Sequence, residues 1–331
     1  MIHTHSIDEL PLQNAWLTIG IFDGVHLGHQ QILRTLIAEA HQAGAPAVVL
    51  TFFPHPAVVL GGKKDFKYLT TPEERLHLLE SLGVDVVITQ TFDRTFADHT
   101  ADDFMHRVVQ SLGLRSLIIG YDTALGRGRE GDAARLTEIG KELNYTVQVI
   151  PALSDETGVI SSTRIRGAIA SGDVSAAAGA LGRYYSISGQ VVHGDGRGHR
   201  INVPTANLAV PAGKVIPAYG IYACWAWFEP PHQKKAGTLG LDFQVTQLGT
   251  PPQAGDKYFA AVNVGVRPTF TPDLPAPAIE AHLLDFIGDI YGHQLKLEFV
   301  EYLRPEEKFA TVQSLVDQIR LDIDLTREIL S

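Results

Sequence analysis

The sequence predicts an α/β doubly wound domain followed by a small antiparallel β-barrel that carries a C-terminal helix. At 331 residues the chain is longer than one core usually fills and fits about two domains of roughly 150 residues. In the first half, apolar β-rich runs alternate with helical patterns, which indicates a parallel sheet covered by helices. After Arg183 the chain changes to strand-like runs separated by Gly and Pro clusters. We therefore predict two domains, residues 1–183 and 184–331.

The elements of the first half follow one another in regular order. The predicted strands are AWLTIGIF, AVVLTFF, DVVITQ and SLIIGY, and the helices between them cover residues 29–43, 72–82 and 101–112. Thr71, Pro72 and Glu74 form a capping box with proline at the first helical position. Residues 29–43 place one apolar stripe at helical spacing, as expected of a helix that packs on a sheet. A short helical pattern, DVSAAAGALG, precedes the boundary.

The second half contains the patterns of a small barrel or sandwich. Its strand-like runs are YGIYACWAWF, KYFAAVNVGV, AIEAHLLDF and HQLKLEFVEYL, and a last helix carries Val312, Leu315, Val316, Ile319, Ile323 and Leu330 on one stripe. Residues 229–257 are rich in Pro, Gly and Gln, and we expect them to form a long exposed hairpin loop. Short strands separated by turn signals, followed by one helix, predict a small antiparallel barrel or sandwich with the helix packed on it.

Composition excludes several classes of function. No apolar run approaches the roughly 20 residues of a membrane span, and the N-terminus lacks the pattern of a secretory signal. Cys224 is the only cysteine, so no intrachain disulfide can form. These features are typical of the reducing cytosol, and we expect a cytoplasmic protein with no membrane partner. The net charge of −10 argues against nucleic acid as a partner and favours a small nucleotide.

The stretch TIGIFDGVHLGHQQIL is an apolar strand, a glycine-containing turn with two histidines, and a helix start. In a doubly wound sheet, ligands bind beyond the carboxyl ends of strands, where the next helix presents free N–H groups to an anion. Gly24 and Gly28 allow close approach of a phosphate, and His26 and His29 lie within reach of it. The turn has neither a Walker sequence nor the three spaced glycines of a dinucleotide site. Two surface histidines by chance, or a His-x-x-His metal pair, remain as alternatives.

GIFDGVHLGH resembles the Gly-x-Phe-Asp-Gly-x-His-x-Gly-His signature of the bacterial bifunctional riboflavin kinase/FAD synthetase family. TFFPHP, GYDTALGRGREGD and ISSTRIR are similar to that family's next motifs. In the second half, GDGRGHRINVPTANL, YGIYA, NVGVRPTF, EAHLLDF and YLRPEEKF resemble its riboflavin kinase module. The motifs span nearly the whole chain in the family's order. The resemblance implies a nucleotidyltransferase domain followed by a riboflavin kinase-like barrel.

For the first domain, the resemblance implies that His26 and His29 contact the phosphates of ATP. Ser162, Thr163 and Arg166 would hold the same phosphates from a second helix start, since Ser and Thr suit helix caps and Arg166 offers a bidentate fork. Taken alone, SSTRIR is more typical of a capped helix with a solvated arginine, and only its combination with the opening turn favours a phosphate site. Three weaker candidates for FMN or phosphate contact are His55, Asp122 and Arg129. His55 lies between two prolines and is equally compatible with a rigid turn.

For the second domain, the resemblance implies that Thr205 and Asn207 bind Mg²⁺ and ATP and that Glu280 accepts a proton from the riboflavin hydroxyl. Gly194, Arg197 and Gly198 would belong to a flap over the nucleotide. Without the resemblance, Thr205 and Asn207 are turn candidates, HGDGRGHR is a polar hairpin turn, and Glu280 is part of the polar face of a strand. In that strand Glu280, His282 and Leu284 alternate with Ile279, Ala281 and Leu283.

Two positions depart from the family pattern. GYDTALG places Thr123 and Leu125 where the family has two phenylalanines, although Asp122, Gly126, Arg129 and Gly131 are retained. Asn202 and Val203 replace the common Gly-Phe before PTAN; asparagine tolerates positive φ better than most residues, so the turn can be kept. The first departure affects aromatic packing at the FMN site. The second affects how closely ATP can approach the backbone in the kinase domain.

We therefore expect a bifunctional enzyme that phosphorylates riboflavin to FMN and adenylates FMN to FAD, with Mg²⁺ as cofactor and ATP as co-substrate. Its small-molecule partners would be riboflavin, FMN, FAD, ATP, ADP and pyrophosphate. Two alternatives are an enzyme that has kept only one of the activities and a flavin-binding or sensing protein without turnover. The pair His26 and His29 together with Glu280 disfavours the last, because a pure binder needs no base.

Overall fold

A computed structural model describes residues 1–62, 65–194, 203–229, 253–266 and 277–331. The chain divides into two compact units, Met1–Arg164 and Ile165–Ser331. The boundary predicted from sequence, Arg183, lies C-terminal to this division. Two short helices occupy most of the segment between Arg164 and Arg183. That boundary stays a prediction, and each unit is described separately below.

The first unit alternates strands and helices as predicted. Its larger strands are β1 (Ile2–Thr4), β2 (Trp16–Ile19), β3 (Ala47–Phe53), β4 (Val86–Thr91), β5 (Ser116–Gly120) and β6 (Thr146–Ile150). Its helices are α1 (Leu27–Gln42), α2 (Pro56–Val59), α3 (Pro72–Leu82), α4 (Arg94–Ala97), α5 (Ala101–Leu112) and α6 (Ala133–Leu143). A two-stranded hairpin, β7 (Ser154–Asp155) and β8 (Gly158–Val159), precedes α7 (Ser162–Ala170). Strands β1 and β6, helices α2, α4 and α6, and the hairpin β7–β8 are absent from the elements predicted from sequence.

Six of these strands form one parallel sheet in the order β1-β4-β3-β2-β5-β6. Strands β3 and β4 are added on one side of β2, and strands β5 and β6 on the other side. The direction of the strand order therefore reverses between β2 and β5. Separate apolar clusters lie on the two faces: α1 and α3 contribute to one, α5 and α6 to the other. The predicted doubly wound architecture is confirmed, and its topology places a ligand crevice beside the carboxyl end of β2.

Local sequence signals set the helix boundaries. The predicted capping box of α3 is present: the Thr71 hydroxyl accepts the Glu74 N–H, and the Glu74 carboxylate accepts the Thr71 N–H. Gly83 ends the helix in the left-handed conformation at φ 96°. Helix α1 begins at Leu27, two residues before the predicted start, because the His26 side chain caps it. The turn and the helix start are therefore a single local structure.

The second unit contains α8 (Val174–Leu181) and a closed antiparallel barrel in the order β10-β13-β12-β11-β14-β9. Its strands are β9 (Tyr185–Val192), β10 (Ala206–Ala209), β11 (Gly220–Glu229), β12 (Lys257–Val266), β13 (Pro277–Leu283) and β14 (Gln294–Arg304). Helix α9 (Val312–Leu330) packs on β11 and β12. The predicted barrel with a C-terminal helix is confirmed. Most of the loop predicted at 229–257 lies outside the described residues.

Candidate functional site

A cavity of about 510 Å³ in the first unit opens at the carboxyl ends of the strands where the order reverses. Its lining includes Ile19 at the end of β2 and Gly20 after it, His29 on α1, and Gly120 at the end of β5 with Asp122 beyond it. This is the position that the doubly wound topology assigns to a ligand. The opening turn of the sequence analysis is therefore part of the cavity wall.

His26 and His29 form the helix-capping end of this turn. The Nδ1 atom of His26 accepts the backbone N–H of His29 at 3.3 Å, and the two rings stack with centroids 3.6 Å apart. A Cβ on Gly28 would lie 3.3 Å from two atoms of the His26 ring, so glycine leaves the space that the stack needs. The spacing of the two histidines places both imidazoles at the N-terminus of α1, where an anion is stabilised.

His29 is held in its neutral form by its surroundings. Burial lowers its pKa well below the ordinary value of 6.5, and the nearby charges of His26 and Arg75 lower it further. Its Nδ1 atom is enclosed and has no hydrogen-bond partner among the described residues. His29 also lines the cavity. A neutral imidazole with an unused nitrogen at the cavity wall is suited to hydrogen-bond a phosphate oxygen of a ligand.

The turn itself has a high-energy backbone. Phe22, Gly24 and Val25 have φ values of 51°, 84° and 42°, and the two non-glycine residues are fully buried. Positive φ is a genuine outlier for a β-branched residue such as Val25 and costs about 1–3 kcal/mol per strained residue. Such a conformation persists only where neighbouring groups hold it.

Asp23 supplies much of that hold. Its carboxylate, 2% exposed, accepts the N–H groups of Leu69 and Thr70 at 3.0–3.1 Å and the Thr70 hydroxyl at 3.2 Å. The same hydroxyl accepts the Gly24 N–H at 3.1 Å. The Ser162 hydroxyl donates to the backbone carbonyl of Asp23 at 2.8 Å. Ser162, singled out from the sequence, thus joins the start of α7 to the opening turn.

The other residues of SSTRIR lie on α7 in different environments. Ser161 accepts the Arg164 N–H, as a cap does, and Thr163 is exposed. Arg164 forms an ion pair with Asp155 and donates to the carbonyl of Gly158, so it holds the hairpin before the helix. Arg166 lies beyond the division between the two units, and its predicted contact with phosphate stays a prediction.

His55 has a structural task in the described chain. Its Nδ1 atom accepts the Ala57 N–H at 3.0 Å and caps α2, and its ring packs on Phe66 with centroids 4.3 Å apart. The residues that follow it, Pro56 and Ala57, line the cavity, but the His55 side chain does not. These contacts give His55 a place in the turn before α2, and its predicted contact with FMN or phosphate stays a prediction.

The segment Tyr121–Gly131 closes another side of the cavity. Arg129 donates to the carbonyl of Asp122 at 3.0 Å, and both residues line the cavity. A Cβ on Gly126 would lie 2.5 Å from the backbone nitrogen of Ala101, and one on Gly131 would lie 2.5 Å from the Ala101 Cβ. The retained glycines therefore let this segment pack against the start of α5.

Aromatic side chains at this site come from elsewhere in the chain. Thr123 and Leu125, which replace the family's phenylalanines, both line the cavity, and so do Phe52, Phe92, Phe96 and Phe104. Phe96 contacts each of the other three phenylalanines, with ring centroids 5.4–5.7 Å apart. The sequence analysis missed Phe92 and Phe96, although TFDRTF follows β4 directly and could have been found by the rule used for the opening turn.

In the second unit, Glu280 lies between two asparagines across three neighbouring strands. It is the register partner of Asn207 on β10 and of Asn263 on β12. Residues directly opposite each other on paired strands share a face of the sheet. Within β13, Ile279, Ala281 and Leu283 are buried, whereas Glu280 and His282 are half-buried and line a cavity of about 270 Å³ beneath α9. Leu284, expected on the face of Glu280, lies beyond the strand and is buried.

Two of the predicted flap and nucleotide residues adjoin this cavity. Thr205 lines it, and Asn207, 7% exposed, lies on the neighbouring strand β10. Gly194 has no room for a side chain, because a Cβ there would lie 2.2 Å from the Asn207 Nδ2 atom. The absence of a side chain at Gly194 therefore leaves the space that the Asn207 amide occupies. Arg197, Gly198 and Asn202 lie outside the described residues, while Val203 lines the cavity.

The wall that α9 provides is fixed by an ion pair missed by the sequence analysis. Arg304 at the end of β14 and Asp322 on α9 form two parallel hydrogen bonds of 2.8 and 2.7 Å. Their side chains are 16% and 7% exposed, and both residues line the cavity. The charge-assisted pair attaches the helix to the barrel beside Glu280.

The donor set around Glu280 fits Mg²⁺. Thr205 offers a hydroxyl, Asn207 an amide and Glu280 a carboxylate, and these are the oxygen ligands that Mg²⁺ prefers. The Asn263 Oδ1 atom is enclosed and has no hydrogen-bond partner among the described residues. Within the described ranges, no three His, Cys, Asp or Glu side chains are grouped for a metal ion, and the pair His26 and His29 gains no further metal-binding neighbour there.

Two compact units, each with a cavity that gathers polar groups suited to nucleotide phosphates, define a two-domain nucleotide-using enzyme. The model of the FAD synthetase family matches residues 9–164, and that of the riboflavin kinase family matches residues 181–330. The chain belongs to the bifunctional riboflavin kinase/FMN adenylyltransferase family. Among the helices of the described residues, none has both the length and the apolarity to cross a membrane.

Relatives of this chain share its full organisation. Bifunctional riboflavin kinase/FMN adenylyltransferases from Listeria monocytogenes and Escherichia coli K12 are 33% and 34% identical, each over 98% of this chain and 95% of their own length. A solved structure from Streptococcus pneumoniae, described as a macrolide-efflux protein, matches with a TM-score of 0.84 at 30% identity and covers 98% of both chains. That structural similarity extends over both units.

Proposed function

We propose that the second unit phosphorylates riboflavin to FMN with release of ADP, and that the first unit adenylates FMN to FAD with release of pyrophosphate. Family membership supports the pair of activities. The observation that carries the proposal is that each cavity contains the residue singled out for it, His29 in the first and Glu280 in the second. We also propose Arg183 as the functional boundary, close to where the riboflavin kinase match begins.

Adenylyl transfer in the first unit needs no protein nucleophile. A phosphate oxygen of FMN attacks the α-phosphorus of ATP, and the bond from that phosphorus to the bridging oxygen of pyrophosphate breaks. The protein must align the two reactants and stabilise the negative charge that spreads over the phosphates. His29, held neutral by burial, and His26 supply hydrogen-bonding groups, and the free N–H groups at the start of α1 supply a positive helix end.

The same cavity has a second character that suits a flavin. Phe92, Phe96 and Phe104 line the same cavity as His29, and apolar surface with a few polar groups is typical of a small-molecule site. The isoalloxazine ring would bind among these phenylalanines and its phosphate near His29. In this arrangement the cavity phenylalanines would supply the aromatic contacts that the replacement of two family phenylalanines by Thr123 and Leu125 removes. Asp122 and Arg129 remain proposed contacts to FMN.

In the second unit, Glu280 would act as the general base. The terminal ribityl oxygen of riboflavin attacks the γ-phosphorus of ATP, the bond to the β-phosphate oxygen breaks, and the hydroxyl proton passes to the Glu280 carboxylate. Thr205 and Asn207 would hold Mg²⁺ and the ATP phosphates, and Gly194 leaves room for the Asn207 amide because it has no side chain. Bound Mg²⁺ supplies neutralisation of the phosphate charge.

A stepwise flavin assay tests the whole proposal. Purified full-length enzyme is incubated with ATP and Mg²⁺ and with riboflavin or FMN, and the flavins are separated by chromatography over time. We expect riboflavin to give FMN and then FAD, and FMN to give FAD directly. Accumulation of FMN without FAD would leave only the kinase. Tight flavin binding without any product would identify a non-enzymatic flavin-binding protein.

A further inference from the structure

Arg75 is a buried cation that takes no part in the proposed reaction steps. It lies on the first turn of α3, is 2% exposed, and its Nε and Nη2 atoms have no hydrogen-bond partner among the described residues. Burial lowers the pKa of its guanidinium, although arginine stays charged over the working range of an enzyme. An incompletely paired buried charge is costly for stability, so its presence requires another explanation.

Two contacts of the Arg75 side chain lead to the opening turn. Its Nη2 atom lies 3.8 Å from the carboxylate of Asp23, the residue that anchors the strained segment Phe22–Val25. Its Nη1 atom donates to the Thr51 hydroxyl at 3.5 Å, and that hydroxyl donates to the Ile21 carbonyl at 3.0 Å. A single guanidinium therefore reaches the turn on two sides, at Asp23 and, through Thr51, at Ile21.

The fork of an arginine suits this bridging position. A planar guanidinium presents donors in fixed directions, whereas a lysine ammonium is a single point charge on a flexible stem. The charge of Arg75 also acts on His29, where it opposes protonation of the imidazole. The residue thus influences both the backbone that carries the histidines and the charge state of one of them, without lining the cavity.

We propose that Arg75 is a positioning residue for adenylyl transfer, which fixes the Ile21–Val25 backbone through Asp23 and Thr51 and thereby places His26 and His29 against the nucleotide phosphates. The inference rests on the proposed role of the two histidines. A displacement of about 1 Å in such groups is enough to slow a reaction by roughly 10²-fold. The kinase reaction, which uses residues of the second unit, does not depend on Arg75.

The test compares Arg75→Met and Arg75→Lys in the full-length enzyme, with FAD formation from FMN and FMN formation from riboflavin measured on the same preparation. We expect Arg75→Met to lower kcat for FAD formation by about 30- to 100-fold, with KM for FMN and the rate of FMN formation within twofold of wild type. Arg75→Lys keeps the charge but cannot reach Asp23 and Thr51 together. Its kcat should therefore lie between those of the wild-type enzyme and Arg75→Met.

Arg107→Met is the matched control, because Arg107 pairs with Asp8 on the exposed surface of the same unit and lies outside the cavity. It should leave both activities unchanged. A folded Arg75→Met or Arg75→Lys enzyme with wild-type kcat for FAD formation overturns the proposal. If Arg75→Met does not fold, Arg75→Lys decides alone: a folded enzyme with reduced kcat and unchanged FMN formation supports the positioning role.

A parallel His29→Ala enzyme separates this inference from the proposed function. If His29→Ala retains full FAD formation, the assignment of the histidines fails and the Arg75 proposal fails with it. If His29→Ala is slow while both Arg75 variants are fast, only the positioning role of Arg75 is lost. Slow FAD formation by all three variants, with normal FMN formation, supports both.

Discussion

The imidazole rings of His26 and His29 stack nearly parallel, 20° apart in plane, at the start of one helix. One ring caps the helix through Nδ1 while the other faces the cavity, so each has a separate task. Because the rings are so close, a proton on one disfavours a proton on the other. The geometry therefore favours a neutral His29 as the donor that meets a nucleotide phosphate.

We predict that the stability of the first unit falls as the pH drops below about 6.5. The pKa of His29 is lowered in the folded state, chiefly by burial. At a pH between the folded and the ordinary pKa, the unfolded chain therefore binds a proton at His29 and the folded chain does not. This contribution to stability is present above the ordinary histidine pKa and is lost as the pH falls toward the folded value. Thermal unfolding between pH 7.5 and 5 measures it, and His29→Gln should show a flatter profile. Parallel profiles for the two proteins would contradict the prediction.

Replacement of His29 by alanine should lower kcat for FAD formation by about 10²-fold, the usual effect of removing one donor to a charged transition state. FMN formation by the same preparation should stay within twofold of wild type, since the kinase residues belong to the second unit. His77→Ala is the matched control, because His77 on α3 is largely exposed. Equal FAD formation by both variants would remove His29 from its role.

Replacement of Glu280 by glutamine should lower FMN formation by about 10³-fold, because an amide cannot accept the hydroxyl proton. Riboflavin binding, followed by flavin fluorescence, should change little, and FAD formation from supplied FMN should be normal. Glu301→Gln on the exposed surface of β14 serves as control. Undiminished FMN formation by Glu280→Gln would show that another group takes the proton.

A methyl group at position 194 should impair the kinase alone. In Gly194→Ala the added Cβ would lie 2.2 Å from the Asn207 amide and must displace it, so we expect kcat/KM for ATP in FMN formation to fall about tenfold or more. Gly179→Ala on α8 makes the same change where no atom lies within 4 Å. That control should keep full activity and gain up to about 1 kcal/mol of stability. A Gly194→Ala kinase with normal KM for ATP would contradict the proposed role of Asn207.

Loss of Asp322 should loosen α9 from the barrel. Asp322→Ala leaves Arg304 without its partner in a largely buried position, and breaking such a pair costs about 3–5 kcal/mol. Asp317→Ala on the same helix removes an exposed pair with Arg320 and should cost less than about 1 kcal/mol. Denaturant unfolding of the full chain compares the two. Equal losses would mean that the Arg304–Asp322 pair does not attach the helix.

Much of the first site could be predicted because its parts are close in sequence. His26, Gly28 and His29 lie within four positions, and capping, glycine and helix-start signals act over that distance. Ser162 was found as a residue at a helix start, but its hydrogen bond to the Asp23 carbonyl joins positions 139 residues apart. Phe92 and Phe96 reach the same cavity only because β4 lies two strands from β2 in the folded sheet.

The sequence by itself determined the alternation of strands and helices, the position of the histidine turn and the polar face of β13, because periodicity and caps are local. Only the tertiary structure decided that Arg75 lies beneath the turn and that Glu280 lies between Asn207 and Asn263. Strand order and register bring those residues together, and both depend on how separate apolar faces pack. Local patterns specify which faces are buried, whereas packing alone specifies which residues then meet.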